Sequence, residues 1–283
     1  MAKLSGRYLV YDVFTDETFG GNPLASFPDA TPLPDDALQK IAREFNFSET
    51  TFVTPPADPA HRARVRIFTP TQEIPFAGHP TIGTALALAT EDGMSEGDLV
   101  LELGVGPIPC KVDNGTAQFV TEHPLEITAR PEADLVARCV GLTAADLAGP
   151  PVQASLGLPF VFAELRTRDL LSKASPVESV FAEALPRYPV GHDFSCYYYV
   201  RDGETVHARM FAPLDNIPED PATGSAAATL TALLQKESGA PLSLTIEQGV
   251  DMGRPSRILS HSDGQAVKIK GQAVRVMEGL FFL

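Results

Sequence analysis

The chain alternates between two hydrophobic periods. Tyr8–Phe14 is apolar and rich in β-branched and aromatic residues, which predicts a strand. Asp35–Phe45 opens on acidic residues and then sets Ala37, Leu38, Ile41, Ala42 and Phe45 at helical spacing, predicting an amphipathic helix. Thr51–Val53 and Ala63–Phe68 read as strands, and Thr81–Ala89 is apolar on every side, as a buried helix would be. The order then repeats. Phe160–Glu164, Tyr197–Val200 and Val206–Phe211 read as strands, Ser225–Gln235 as a second buried helix, and Leu242–Glu247, Ala266–Lys270 and Ala273–Glu278 as later strands. Many strands with one central helix per half predict an α+β protein rather than regular βαβ alternation.

The two halves echo each other in sequence. Arg66–Pro75, RIFTPTQEIP, matches Arg209–Pro218, RMFAPLDNIP, at Arg, Phe, Pro and Ile-Pro. With a shorter second elbow, Pro80 then meets Pro221, Gly83 meets Gly224, Ala85 meets Ala226, and His79 falls opposite Asp220. Gly21-Asn22-Pro23 with Gly157-Leu158-Pro159, Phe47-Ser48-Glu49 with Phe194-Ser195-Cys196, and Glu102–Val105 with Glu247–Val250 follow in the same order. This predicts a duplicated unit with domains at 1–122 and 123–283, the last strand being a candidate to return to the first. The two elbows are expected to face each other across one active site.

Helices starting near Pro80 and Pro221 would offer free backbone N–H groups at Thr81, Ile82 and Gly83, and at Ala222, Thr223 and Gly224. With the helix dipole these form anion-binding ends, and Gly83 and Gly224 would let a ligand approach the backbone. Asp220 stands where a helix N-cap would. His79 is placed where a helix start would keep its imidazole neutral. Glu49, inside the apolar stretch Phe47–Val53, must be exposed, paired or used; desolvated, it could move a proton near neutral pH.

Composition narrows the function classes. The 22 basic and 36 acidic residues give a net charge of −14, against a nucleic-acid groove or an anionic membrane surface. Three cysteines without a CxxC pair argue against a disulfide framework or zinc site and for a reducing, cytoplasmic setting. MAKLSGRYLVYD lacks the apolar core of a signal peptide. There is no GxSxG, GxxxxGK[ST] or HExxH, so no cofactor and no metal is expected, and side-chain acid/base chemistry is left.

YDVFTDETFGGNPLASF at 11–27, FNFSETTFV at 45–53, RIFTPTQEIPFAGHPTIGTA at 66–85, MFAPLDNIPEDPATGSAA at 210–227 and IEQGVDMGRPS at 246–256 resemble the PhzF-like family of phenazine biosynthesis proteins, which has the diaminopimelate epimerase-like fold. The resemblance implies two pseudo-symmetric domains, each a β-barrel-like sheet wrapped around a central helix, with the site in the cleft between them. It also implies a homodimer and a cofactor-free isomerase acting on a small carboxylate-bearing substrate. In the phenazine enzyme that substrate is trans-2,3-dihydro-3-hydroxyanthranilate, and a glutamate takes a proton from C3 and returns it to C1. The family's motifs fall on Glu49, His79 and Asp220 as catalytic residues, with Gly78, Gly224 and Ser225 holding the substrate. Two-cysteine racemisation, used by related epimerases, is disfavoured because neither elbow contains a cysteine; Cys196 reads as core. Tyr11, Asn22 and Arg254 are further candidates to line the cleft, without assigned roles. An epimerase or racemase of an amino acid-like carboxylate, and a catalytically silent binding protein, are the alternatives.

Overall fold

The computed structural model describes residues 5–191 and 193–283. Met1–Leu4, the start of the stretch read above for a signal peptide, lie outside the described residues. In chain order the first half carries β1 (Ser5–Val13), β2 (Asn22–Phe27), α1 (Asp35–Phe45), β3 (Glu49–Thr54), β4 (Ala63–Phe68), β5 (Glu73–Ile74), α2 (Gly78–Glu91), β6 (Glu96–Leu103), β7 (Gly106–Asp113) and β8 (Thr116–Thr121). The second carries β9 (Glu126–Ala129), α3 (Ala133–Arg138), β10 (Val152–Ser155), β11 (Pro159–Glu164), α4 (Arg168–Lys173), α5 (Glu178–Ala184), β12 (Cys196–Asp202), β13 (Thr205–Ala212), β14 (Ile217–Asp220), α6 (Gly224–Ser238), β15 (Leu242–Gln248), β16 (Ser256–Ser262) and β17 (Val267–Phe282). The protein is α+β, as its hydrophobic pattern predicts.

By contacts the chain forms two compact units. One runs to Val120 and takes back Ile269–Leu283; the other is Thr121–Lys268. In the first unit, β1, β2, β3, β4, β6, β7, β8 and β17 pair in succession, and β17 pairs back onto β1, closing an eight-stranded barrel. In the second unit β9, β10, β11, β12, β13, β15 and β16 pair in that order.

The duplication is visible in strand direction. From β1 to β7 successive pairs run antiparallel, parallel, antiparallel, parallel, antiparallel, and from β10 to β16 they do the same. Each parallel pair needs a crossover. Helix α1 supplies one and α4 with α5 its counterpart; α2 and α6 supply the other. Helix α1 lies outside, burying Ala37, Leu38, Ile41 and Ala42 against Phe27, Phe52 and Phe68. Helix α2 is buried from Gly78 to Ala89 and packs on β1, β2, β3, β6 and β7, which fits its lack of a polar face. Helix α6 is buried from Gly224 to Leu234, against β11, β15 and β16.

Two expectations change. Ala266–Lys270 and Ala273–Glu278 are one strand, β17. The strand runs on through Gly271, where a Cβ would collide with the Phe14 ring, and Phe14 N–H donates to Gln272 O at 2.7 Å. Gly83 is a packing glycine, not a ligand-approach glycine: a Cβ would lie 2.6 Å from Leu24 Cδ2 and 2.7 Å from Val13 Cγ2.

Candidate active site

Glu49 opens β3, just after the left-handed Asn46 ends α1. It pairs with Leu24 of β2, whose side chain reaches the α2 backbone at Gly83, so Glu49 shares the inward face. Its side chain retains 14% of its exposure. His79 is the second residue of α2, and its Nδ1 lies 3.2 Å from Glu49 Oε2, a close contact rather than an aligned hydrogen bond. The His79 Nε2 is buried without a hydrogen-bond partner. Burial pushes His79 down to about 3, so the imidazole is neutral near pH 7. A neutral imidazole presenting Nδ1–H to Glu49 has a lone pair on Nε2. The pair therefore holds one carboxyl group and one unspent acceptor side by side, the elements of proton transfer. Asn22, fully buried at the start of β2, lies on the same inward face. Tyr11 does not join them: it sits beside Thr90, toward the other end of α2.

The helix starts differ from the sequence matching. Helix α2 begins at Gly78, with Pro80 in third place, and Ala77 O already accepts from Thr81 Oγ1 at 2.7 Å. Its orphan donors are thus the Gly78 and His79 N–H groups, not those of Thr81, Ile82 and Gly83. Helix α6 begins at Gly224, with Thr223 in the N-cap place, so Gly224, Ser225 and Ala226 carry the orphan donors. Pro221 precedes the helix, and Asp220 ends β14 rather than capping α6.

Gly78 therefore corresponds to Gly224 and His79 to Ser225, not to Asp220. Two observations fix this register. Arg66 pairs with Glu73 at 2.7 Å and stacks over Phe68, while Arg209 pairs with Glu219 at 2.7 Å and stacks over Phe211. A Cβ on Gly104 would meet Pro75 and one on Gly249 would meet Pro221, both at 2.7 Å. The Ile-Pro identity misleads because the β13–β14 turn is longer, with a 3-10 turn at Pro213–Asp215 and a left-handed Asn216. The counterpart of Asp220 is Ile74.

Asp220 is buried, and its Oδ2 accepts from Thr223 Oγ1 at 2.6 Å. Gln248 Nε2 donates to Asp220 O at 2.8 Å and to Thr223 Oγ1 at 2.9 Å. Sequence reasoning missed Thr223, Gln248 and Tyr197 as supports of this aspartate; the one available signal was a glutamine in the buried-strand pattern of β15. Arg254 follows the turn after β15, its N–H on Gly249 O at 3.0 Å. Cys196 pairs with Phe211 as Thr50 pairs with Phe68, so the counterpart of Glu49 is Ser195 and not, as the sequence echo had it, Cys196. Cys196 is fully buried in the second unit's core, and burial pushes its thiol well up. Among the described residues no group of three or more His, Cys, Asp and Glu side chains is placed to hold a metal ion, and no helix is long and apolar enough to cross a membrane.

A model of the phenazine biosynthesis-like protein family, PhzC-PhzF, matches residues 11–279. The chain belongs to this family. It is 40% identical to an uncharacterized isomerase of Mesorhizobium japonicum, over 98% of this chain and 99% of that one. It is 36% identical to the trans-2,3-dihydro-3-hydroxyanthranilate isomerase of Pseudomonas aeruginosa, with the same shares covered. The crystal structure of a PhzF-family phenazine biosynthesis protein of Bacillus anthracis covers 99% of this chain and 100% of its own, with a TM-score of 0.86 at 26% identity. This PhzF-like chain is an isomerase.

Proposed function

We propose that this isomerase moves a proton within a small carboxylate-bearing substrate without a cofactor, and that the substrate is trans-2,3-dihydro-3-hydroxyanthranilate or a close analogue. Glu49 is the shuttling acid/base. The observation that carries the reading is its 3.2 Å approach to a buried, neutral His79 with an unpartnered Nε2. A proton leaving carbon needs a base that does not compete with a charged neighbour, and a neutral imidazole meets that need. His79 would accept or return a proton at a polar substituent. Asp220 would position the substrate's amine or hydroxyl. The orphan amides of Gly78 and Gly224, with the Ser225 hydroxyl, would hold the carboxylate. The substrate assignment leans on the Pseudomonas aeruginosa relative. Ser195, not a cysteine, stands at Glu49's counterpart, and the nearby Cys196 thiol is held protonated by burial, which weighs against a cysteine base.

The test is Glu49→Gln in deuterated water. Loss of about 10²- to 10⁴-fold in kcat, together with loss of deuterium incorporation at the migrating position, is expected for a residue that carries the proton. Incorporation at the wild-type rate would refute the assignment. We also propose a cytoplasmic homodimer: the three cysteines are buried and free, and gel filtration at twice the chain mass is the expected result.

A further inference from the structure

The polar cluster around Asp220 is more elaborate than a loop before a helix requires. Gln248 is fully buried and uses its whole amide. Its Nε2 donates to Asp220 O at 2.8 Å and Thr223 Oγ1 at 2.9 Å, and its Oε1 accepts from Thr223 N–H at 3.2 Å and from Tyr197 O–H at 3.0 Å. The Thr223 N–H can only donate, so the amide cannot be turned over without setting donor against donor. Burial raises the Tyr197 phenol far above its usual range, which keeps it a donor. With Nε2 facing it, the Thr223 hydroxyl must accept on that side and give its own proton elsewhere. The atom it meets is Asp220 Oδ2, at 2.6 Å.

The duplicated unit provides an internal control. In the register fixed by the arginine–glutamate pairs and by Gly104 and Gly249, Asp220 corresponds to Ile74, Thr223 to Ala77 and Gln248 to Leu103; Tyr197, which pairs with Met210 as Thr51 pairs with Ile67, corresponds to Thr51. Ile74, Ala77 and Leu103 are buried too. The same strand–elbow–helix geometry is therefore built in the first unit without the polar network. Burying an amide, a hydroxyl and a phenol costs desolvation that the fold does not demand. What the second unit has and the first lacks at this place is a carboxylate to be aimed.

We infer that Thr223 is a positioning residue for the Asp220 carboxylate, its hydroxyl proton locked toward Oδ2 by the Gln248 amide. One carboxylate oxygen is thus committed to the protein, and the rotation of the group is fixed before substrate arrives. The inference rests on the proposed role of Asp220 in handling substrate.

The experiment compares Thr223→Val, Thr223→Ser and Asp220→Asn, alone and combined, with trans-2,3-dihydro-3-hydroxyanthranilate as substrate. Thr223→Val keeps the shape and removes the hydroxyl; kcat falls about 10- to 100-fold, the scale of a misplaced reacting group. Thr223→Ser rescues it to within a few-fold. In the Asp220→Asn background Thr223→Val costs nothing further, because it acts through that carboxylate. A multiplicative loss on top of Asp220→Asn, or full activity in Thr223→Val, overturns the inference. Full activity in Asp220→Asn refutes the role of Asp220 instead. A readout that needs no turnover is the titration of the Asp220 carboxyl carbon, followed by NMR in ¹³C-aspartate protein. Its midpoint rises in Thr223→Val and returns in Thr223→Ser; an unmoved midpoint in Thr223→Val also overturns the inference. Gln248→Leu, the residue used in the first unit, keeps the near-UV circular dichroism of the folded protein yet raises the same midpoint.

Discussion

At the scale of single residues, His79 couples the site to stability. Its folded-state value of about 3 lies below the usual 6.5, because burial penalises the charged ring. Between those values the unfolded chain binds a proton that the folded one refuses, so stability falls as pH falls through that window. The slope is about 1.4 kcal/mol per pH unit. Between pH 7 and pH 5 the wild type should lose roughly 2 kcal/mol that His79→Gln does not, read as a difference in urea midpoints at the two pH values. An equal loss in both proteins would show that the imidazole is not held neutral. Glu49 and His79 were legible because a carboxyl in an apolar run and a histidine beside glycine and proline are local anomalies. The Asp220 supports were not, since Tyr197, Thr223 and Gln248 come from three separate segments and meet only in the folded second unit.

At the scale of elements, each unit fastens its elbow strand with an arginine that stacks on a phenylalanine and grips a glutamate. The burial of the two copies differs. Arg209 is 8% exposed and also donates to Leu171 O at 3.0 Å and Ala174 O at 2.7 Å, whereas Arg66 is 25% exposed and its partner Glu73 42%. Removing one partner of a buried pair strands a charge, which costs about 3–5 kcal/mol. A solvated pair is worth about 0–1 kcal/mol. Glu219→Gln should therefore destabilise strongly and Glu73→Gln barely, in the same denaturation assay. A similar contest decides Gly83→Ala. Helix propensity favours alanine by about 1 kcal/mol, but the Cβ would press on Leu24 and Val13 in a full core, at a cost of about 1–3 kcal/mol. The expected sign is a lower melting temperature. Period made α1 readable along the chain, and compact apolar runs did the same for α2 and α6. The start of α1 at Asp35 was read as well, but those of α2 and α6 were not, because a proline suits both the first turn of a helix and the loop before it.

At the scale of the whole molecule, the echo between halves was readable because duplication preserves order even where identity fades. It made the last strand a candidate to return to the first domain but could not show the pairing that closes the first barrel, since β8 and β17 are far apart in sequence and neither carries a mark for the other. The structure closes that barrel with the chain's last strand. Val13 to Ser5 of β1 pair with Ala273 to Phe282 of β17, β8 takes its other edge, and Phe281 packs its ring 5.1 Å from that of Phe27. Removing residues 269–283 would open the ring between β1 and β8. It would leave two unpaired edges and uncover an α2 that has no polar face to meet water. Such a helix keeps its place only by burial, so the loss should not be confined to the cut edge. The truncated chain should lose amide protection in β1, β2 and α2 together, bind a dye for exposed apolar surface, and associate through the open edges. Hydrogen exchange read by mass spectrometry would show this. Retained protection in α2, with loss limited to β1 and β8, would mean that the helix does not depend on closure of the barrel around it.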